Sequence, residues 1–126
     1  MREKKQLSKA EMQVMSVLWG MDASGVTSAE VMERYDEPRP AMTTLLTFLK
    51  RLTEKGFVQT EKQGKLLRFT PLVGRDEYTA QYMADAKDTL FGGSPTSLLT
   101  FFVQHEQLDD DQLNELLDII KQKRRL

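Results

Sequence analysis

One segment organises this chain: Arg39-Pro-Ala-Met-Thr-Thr-Leu-Leu-Thr-Phe-Leu-Lys-Arg-Leu-Thr-Glu-Lys-Gly56. Its apolar residues Leu45, Leu49 and Leu52, with Phe48 beside them, recur at the i, i+4, i+7 spacing of a helix that packs one face on a core. Pro suits a first helical turn and Gly suits a C-terminal stop. The segment therefore predicts a helix from about 40 to 55 with one buried face.

The opposite face of this helix has the chemistry of a major-groove reader. It carries short hydroxyls, one exposed apolar side chain and cations, namely Thr43, Thr44, Leu46, Thr47, Lys50 and Arg51. A hydroxyl can bond to base edges or phosphate, an apolar group can pack on a thymine methyl, and a cation fixes the register on the backbone. We predict that these residues bind DNA, together with the neighbouring Arg39 and Met42.

The elements around this helix follow from local patterns. Ser8-Lys-Ala-Glu11 and Thr27-Ser-Ala-Glu30 both have the capping-box form, which predicts two earlier helix starts. After Gly56 the pattern alternates, and Gln63-Gly-Lys65 separates two short strands of a hairpin. Three short helices followed by a hairpin is the winged helix-turn-helix plan, with the third helix in the major groove and the hairpin beside the phosphates. On this wing, we predict DNA contacts by Lys65 and Arg68.

The second part of the chain predicts three more helices, over about 75–91, from Ser94 and from Asp109. They hold more apolar surface than a lone small bundle needs. Most oligomers are symmetric dimers, and paired recognition helices match palindromic operators. We therefore assign this part to homodimerisation, through Tyr78, Tyr82, Leu98, Phe102, Leu113, Leu116, Leu117 and Ile120. The alternative is a self-contained three-helix cap.

The charge distribution supports a division into domains 1–71 and 72–126. The 126 residues carry a formal net charge of −1. Up to Pro71 there are twelve Lys and Arg against nine Asp and Glu, whereas the remainder has six against ten. This asymmetry suggests a mildly basic DNA-binding half and an acidic partner half.

Several function classes are disfavoured by composition. There is no Cys and His105 is the only His, so a zinc or copper site would rest on carboxylates alone, and we expect no metal and no cofactor. Neither a nucleophile elbow nor a phosphate-binding loop is present, which argues against an enzyme. No apolar run is long enough for a signal peptide or a membrane span, so we expect a soluble, cytoplasmic protein without membrane insertion.

Three stretches give the chain a resemblance to the BlaI/MecI family of penicillinase repressors. Leu7-Ser-Lys-Ala-Glu-Met-Gln-Val-Met-Ser-Val-Leu-Trp19 looks like that family's first helix, and Thr44-Leu-Leu-Thr-Phe-Leu-Lys-Arg-Leu-Thr-Glu-Lys-Gly56 looks like its recognition helix. Ser97-Leu-Leu-Thr-Phe-Phe-Val103 falls where the family has a dimerisation helix. The match covers nearly the whole chain. Each stretch alone is a moderately specific sign of the family, and their combination is specific.

The resemblance implies a dimeric repressor that binds promoter palindromes and is removed by proteolysis when a membrane sensor metalloprotease is activated, often by β-lactams. In the best-known members the cut lies between Asn and Phe, where this chain has Phe101-Phe102. The resemblance also places Thr43, Thr44 and Thr47 toward DNA. Leu46 departs from the polar residue often found there, which implies an altered operator preference through a thymine methyl contact.

Two other functions remain open from the sequence. The winged fold could serve as a protein-interaction module, which would need an uncharged, apolar outer face on the third helix. The charges of Lys50 and Arg51 argue against this function, whereas the apolar Met42 and Leu46 are compatible with it. A repressor released by a small molecule is the second alternative, with Trp19 and the three tyrosines as pocket residues. For Trp19 we favour plain core packing.

Overall fold

The computed structural model describes residues 6–125, so the first five residues of the charged N-terminus lie outside the described range. In chain order the elements are α1 (Lys9–Trp19), α2 (Ser28–Glu33), α3 (Met42–Glu54), β1 (Val58–Gln63), β2 (Leu66–Pro71), α4 (Arg75–Leu90), α5 (Pro95–His105) and α6 (Asp110–Arg124). This order confirms the predicted fold class, a mostly helical chain with a winged helix-turn-helix followed by three helices. Over the described range, no helix has the length and apolar character needed to cross a membrane.

Both predicted capping boxes are present at the starts of α1 and α2. The Glu11 amide donates to Ser8 Oγ at 3.1 Å, and the Ser8 amide donates back to Glu11 Oε1 at 2.7 Å. Thr27 and Glu30 make the same reciprocal pair at 3.2 and 3.0 Å. Each box satisfies amides at a helix N-terminus that have no partner within the helix, and so fixes where the helix begins.

The start of α3 differs slightly from the prediction. Ala41 is the N-cap and has an extended backbone, and the first helical hydrogen bond runs from the Leu45 amide to the Ala41 carbonyl at 3.0 Å. Pro40 therefore precedes the helix instead of lying in its first turn. At the other end Gly56 has φ +83°, the left-handed conformation expected of a helix stop.

The wing is a tight antiparallel hairpin. Gln63 pairs with Leu66, which leaves a two-residue turn in which Gly64 has φ +64°, as at the first position of a type II′ turn. β2 also pairs with the segment between α1 and α2, because Val26 and Phe69 exchange backbone hydrogen bonds of 2.9 and 2.7 Å. The wing is thereby joined to the helical part of the fold.

The core is made by the winged-helix elements together with the segment between β2 and α4, and Tyr78 of α4 packs against it. It consists of the buried apolar residues Leu7, Val14, Met15, Leu18, Val26, Val31, Leu45, Leu49, Leu52, Phe57, Val58, Phe69 and Val73. The three α3 leucines are fully buried, which confirms the predicted buried face. Complete burial of a leucine stabilises a fold by about 1.5–3 kcal/mol, so this face fixes the rotation of α3.

The chain divides into two compact units between Ala80 and Gln81, within α4. Val73 and Tyr78 belong to the core of the first unit: Trp19 Nε1 donates to the Val73 carbonyl at 2.9 Å, and the Tyr78 ring lies 6.0 Å from the Trp19 ring and 5.6 Å from Phe57. Trp19 is thus packed in the core, as favoured from the sequence. The division after Pro71 into a DNA-binding and a dimerisation segment stays a prediction about function.

The second unit consists of the end of α4 with α5 and α6. Gly92 and Gly93 both have positive φ and separate α4 from α5, which Ser94 caps by accepting from the Ser97 amide at 3.1 Å. Asp109 caps α6 through a third capping box with Gln112. Among the described residues of these three helices none is buried, so a large apolar surface stays exposed in the single chain.

Candidate DNA-binding surface

The exposed side of α3 consists of two neighbouring rows of side chains at i, i+4 spacing. One row holds Met42, Leu46 and Lys50, and the other holds Thr43, Thr47 and Arg51; all six are exposed, and we call them the α3 outer face. Each row begins with residues that have no charge and ends in a cation. The N-terminal half of a recognition helix is the part that meets base edges, whereas cations suit phosphates. Thr44 is exposed beside these rows.

The hydroxyl of Thr47 is used within the helix. Thr47 Oγ1 donates to the Thr43 carbonyl at 3.0 Å, one turn earlier. Because a hydroxyl has one proton and two lone pairs, Thr47 keeps acceptor capacity and a methyl group for an outside partner. The outer face therefore combines apolar groups and threonine hydroxyls in its first half with two cations in its second half.

The C-terminal end of α3 is anchored to α1 by a buried carboxylate. Lys55 Nζ donates to Glu11 Oε1 at 2.6 Å and to the Gln6 carbonyl at 3.0 Å. Among the described residues, Glu11 is the only charged side chain that is buried. Burial raises the pKa of Glu11, but hydrogen bonds from Lys55 and Ser8 and the charge of Lys55 outweigh it, and the pKa lies below the ordinary value of 4.5. The sequence had suggested the capping box but not the partner on α3.

A second link joins α3 to the wing. Thr53 Oγ1 donates to the Leu49 carbonyl at 2.8 Å and lies 2.7 Å from Thr60 Oγ1 on β1. The Phe57 amide also donates to the Leu52 carbonyl at 2.9 Å, directly after the helix. Helix and hairpin are therefore held in one arrangement.

The predicted wing cations differ in what they contact. Lys65 is exposed at the hairpin turn, and Lys62 is exposed on β1. Arg68 is half-buried, and its guanidinium donates through Nη1 to the Gly25 carbonyl at 2.8 Å and through Nε to Gln63 Oε1. The Gly25 amide in turn donates to Thr70 Oγ1 at 2.8 Å. Arg68 thus holds the wing to the loop after α1, a role that no local pattern in the sequence indicated.

Arg68 also contributes to the electrostatics of α2. The pKa of Glu30 lies below its ordinary value because the Thr27 amide and hydroxyl donate to its carboxylate, and the positive charge of Arg68 adds to this effect. Glu30 is exposed, so we relate its lowered pKa mainly to the hydrogen bonds at the start of α2.

Arg39, which precedes α3, is held by contacts within the protein. Its Nε donates to the Tyr35 carbonyl at 3.1 Å and lies 3.6 Å from Glu37 Oε1. Arg39 stays exposed despite these contacts.

In the second unit, the predicted dimerisation residues are open to solvent to different degrees. Leu98 and Leu113 are half-buried, whereas Tyr82, Phe102, Leu116, Leu117 and Ile120 are exposed. Tyr78 differs from them, because it belongs to the first unit and its ring packs against Trp19 and Phe57. The same three helices expose further apolar side chains, namely Met83, Leu90, Leu99, Phe101, Val103 and Ile119.

The predicted cleavage site lies in the middle of α5. Both Phe101 and Phe102 are about half exposed, at 51 and 52%. The Phe101 ring stacks on His105 with centroids 3.9 Å apart and lies 5.6 Å from the Phe91 ring. His105 Nδ1 is 2.8 Å from the Phe101 carbonyl. The peptide bond between the two phenylalanines is therefore helical, and a protease needs it extended.

Comparison with known proteins places this geometry in a family. Residues 7–122 match the penicillinase repressor family, from the residues before α1 to within the last turn of α6. The chain belongs to this family. Its members are transcriptional repressors and not enzymes, which agrees with the expectation drawn from the missing catalytic motifs.

Individual members of the penicillinase repressor family are similar over most of their length. The penicillinase repressor of Bacillus licheniformis is 27% identical, with 97% of this chain and 94% of that protein covered. The transcriptional regulator BlaI of Mycobacterium tuberculosis is 33% identical over 82% of this chain and 76% of its own length. Among solved structures, the DNA-binding domain of the repressor BlaI is 30% identical, covers 62% of this chain and 94% of its own, and has a TM-score of 0.51.

Proposed function

We propose that this chain is a DNA-binding transcriptional repressor that acts as a homodimer on a palindromic promoter operator. The observation that carries the proposal is the α3 outer face. Each of its two rows begins with uncharged side chains and ends in a cation, Lys50 in one row and Arg51 in the other. Membership of a repressor family, and similarity to the DNA-binding domain of BlaI, support the same function.

The DNA-binding half of the proposal assigns separate tasks to separate residues. Met42, Thr43, Leu46 and Thr47 meet base edges in the major groove, with Thr44 beside them. Lys50 and Arg51 contact phosphates, as do Arg39 at the start of α3 and Lys65 on the wing. Arg68 is assigned to positioning the wing, because its Nε and Nη1 atoms already donate within the protein.

The dimerisation half rests on the second unit. Its exposed apolar side chains include Phe102, Leu117 and Ile120, each more than half exposed in the single chain. Covering such a surface removes apolar area from water at about 25 cal/mol per Å², so a second copy of the chain is a stabilising partner. A two-fold dimer would present two α3 helices to half-sites about one DNA turn, roughly 34 Å, apart.

We further propose how repression ends and where the protein works. A membrane-bound sensor metalloprotease cuts between Phe101 and Phe102, which removes part of the dimerisation surface and releases the operator. The half exposure of both side chains supports access to this segment once the α5 turn opens. We propose the cytoplasm as the site of action, because promoter DNA and the inner side of such a sensor are both reached from there.

Binding to the DNA upstream of its own gene tests the proposal. The purified protein is titrated onto this promoter fragment and onto a scrambled duplex of equal composition, and the mass of the complex is determined. We expect preference for the promoter, two chains per site, and a loss of affinity with salt, since log K falls by about 0.9 per phosphate neutralised for each unit of log salt. Equal binding to both duplexes at every salt concentration would reject the function.

A further inference from the structure

The first half of the α3 outer face lacks the Arg and Lys side chains that proteins use most often to read guanine. Guanine is recognised most often by bidentate donors from Arg or Lys, and adenine by the amides of Asn or Gln. From Met42 to Thr47 the exposed side chains are a thioether, an aliphatic group and three threonines. Both cations of this face lie later, at Lys50 and Arg51, where the helix would meet phosphates.

Two apolar side chains lead one of the rows. Met42 is 39% exposed and Leu46 is 37% exposed, although both lie on a helix whose other side is fully buried. They are four residues apart on the helix, which is about 6 Å of rise. That distance is between one and two base-pair steps, since duplex DNA rises about 3.4 Å per step along each strand.

Thr47 adds a third apolar group, its methyl group, to this part of the helix. Its hydroxyl proton is given to the Thr43 carbonyl at 3.0 Å, so what it offers outward is a methyl group and lone pairs. A thymine displays a C5 methyl group and an acceptor oxygen in the major groove. The methyl groups of Thr47 and Leu46 match the thymine methyl, whereas the bidentate Arg or Lys donor that most often reads a guanine edge is missing from this part of the helix.

We propose that this chain selects its operator through thymine methyl groups, which Met42 and Leu46 cover in each half-site. The inference rests on the proposed function, and it names the chemistry that the α3 outer face recognises. The cations at the end of each row make the occupant a nucleic acid and not an apolar protein surface, because they complement phosphates on either side of the groove. The half-site therefore holds at least two thymines within neighbouring steps.

Replacing thymine by deoxyuridine removes only the methyl group and so tests the inference directly. The promoter fragment is amplified once with dTTP and once with dUTP, and binding of the wild-type chain to both is compared. Burial of one methyl group corresponds to about a fourfold change in affinity, so two methyl groups correspond to about fifteenfold per half-site. We expect at least this loss on the uracil fragment.

Variants separate the methyl contact from a change in DNA flexibility. Leu46→Ala should bind the thymine fragment more weakly and lose less than the wild type on the uracil fragment, and Met42→Ala should behave alike. Leu66→Ala is the matched control, because Leu66 is exposed on β2 and outside the α3 outer face. It should keep the full sensitivity to uracil.

The outcomes distinguish this inference from the function on which it rests. A wild-type chain that prefers its promoter and binds the thymine and uracil fragments equally would overturn the inference and leave the repressor function in place. Equal losses on uracil for the wild type and Leu46→Ala would overturn it as well. A chain without any preference for the promoter would reject the function itself.

Discussion

Glu11 Oε1 lies 2.6 Å from Lys55 Nζ, and this ion pair joins the N-terminal cap of α1 to the C-terminal cap of α3. The carboxylate is 2% exposed and the ammonium group's side chain is 28% exposed. The same carboxylate oxygen accepts from the Ser8 amide at 2.7 Å. One buried oxygen therefore fixes both a helix start and the end of the proposed recognition helix.

Replacing this carboxylate should destabilise the first unit. Glu11→Gln keeps an acceptor for the Ser8 amide but loses the charge that Lys55 faces. A hydrogen bond to a charged group contributes about 1.5–3 kcal/mol, and we expect a loss of roughly this size in the free energy of unfolding. Urea unfolding at pH 7, followed by the fluorescence of Trp19, measures it, because Trp19 lies in the same unit. Glu33→Gln, at an exposed position on α2, is the control and should change stability by less than about 0.5 kcal/mol.

The contribution of Glu11 should depend on pH. Its pKa in the folded chain is below the ordinary value of 4.5, so the ionised form is favoured by folding. The stabilisation is then fully present above the unfolded pKa and is lost as the pH falls through the folded pKa. The stability difference between wild type and Glu11→Gln should be constant from pH 7 to 6 and shrink below 4.5. A difference that stays the same down to pH 3 would show that the ion pair is not its source.

The two wing cations should respond differently to truncation. Arg68→Ala removes the hydrogen bonds to Gly25 and Gln63 and should cost about 1–2 kcal/mol of stability, at about 1 kcal/mol for each bond. Lys65→Ala should leave stability unchanged and flatten the salt dependence of promoter binding by about 0.9 per protomer. Unfolding and salt titrations of both variants check this division. It would be wrong if Arg68→Ala kept wild-type stability and flattened the salt slope instead.

A charge on the apolar side of α6 should break the proposed dimer. Leu117 is 51% exposed in the single chain, so Leu117→Glu leaves the fold of the chain intact but places a carboxylate in the interface. Sedimentation should show a monomer near 14.5 kDa for this variant and about twice that mass for the wild type. Gln122→Glu adds the same charge on the opposite side of α6 and should remain dimeric. Two variants with equal mass would contradict the assignment of this surface.

The fold could be predicted well where information was local. The capping boxes at Ser8 and Thr27, the stop at Gly56 and the turn at Gly64 depend on neighbouring residues, and each formed as predicted. The leucine spacing of α3 likewise fixed its buried side. Pro40 was placed in the first turn of the helix but lies two residues before Met42, where α3 begins, since the extended backbone of Ala41 delays the first helical hydrogen bond.

Contacts between distant segments could not be predicted from spacing. Lys55 is 44 residues from Glu11, and Arg68 is 43 residues from Gly25, so neither pair leaves a periodic signal. Tyr78 was grouped with the second half by its position in a helical stripe, yet its ring packs beside Trp19 in the first unit. The exposed residues of α3 were predictable because the buried leucines determine which residues face outward.

Footprinting of the upstream promoter DNA is the sharpest test of a dimeric repressor that reads DNA with α3. A two-fold dimer should protect two segments on the same side of the duplex, with centres about 10 base pairs or a multiple apart. Lys50→Ala combined with Arg51→Ala should abolish this protection without unfolding the chain. A single protected segment, or protection that survives the loss of both cations, would contradict the proposed mode of binding.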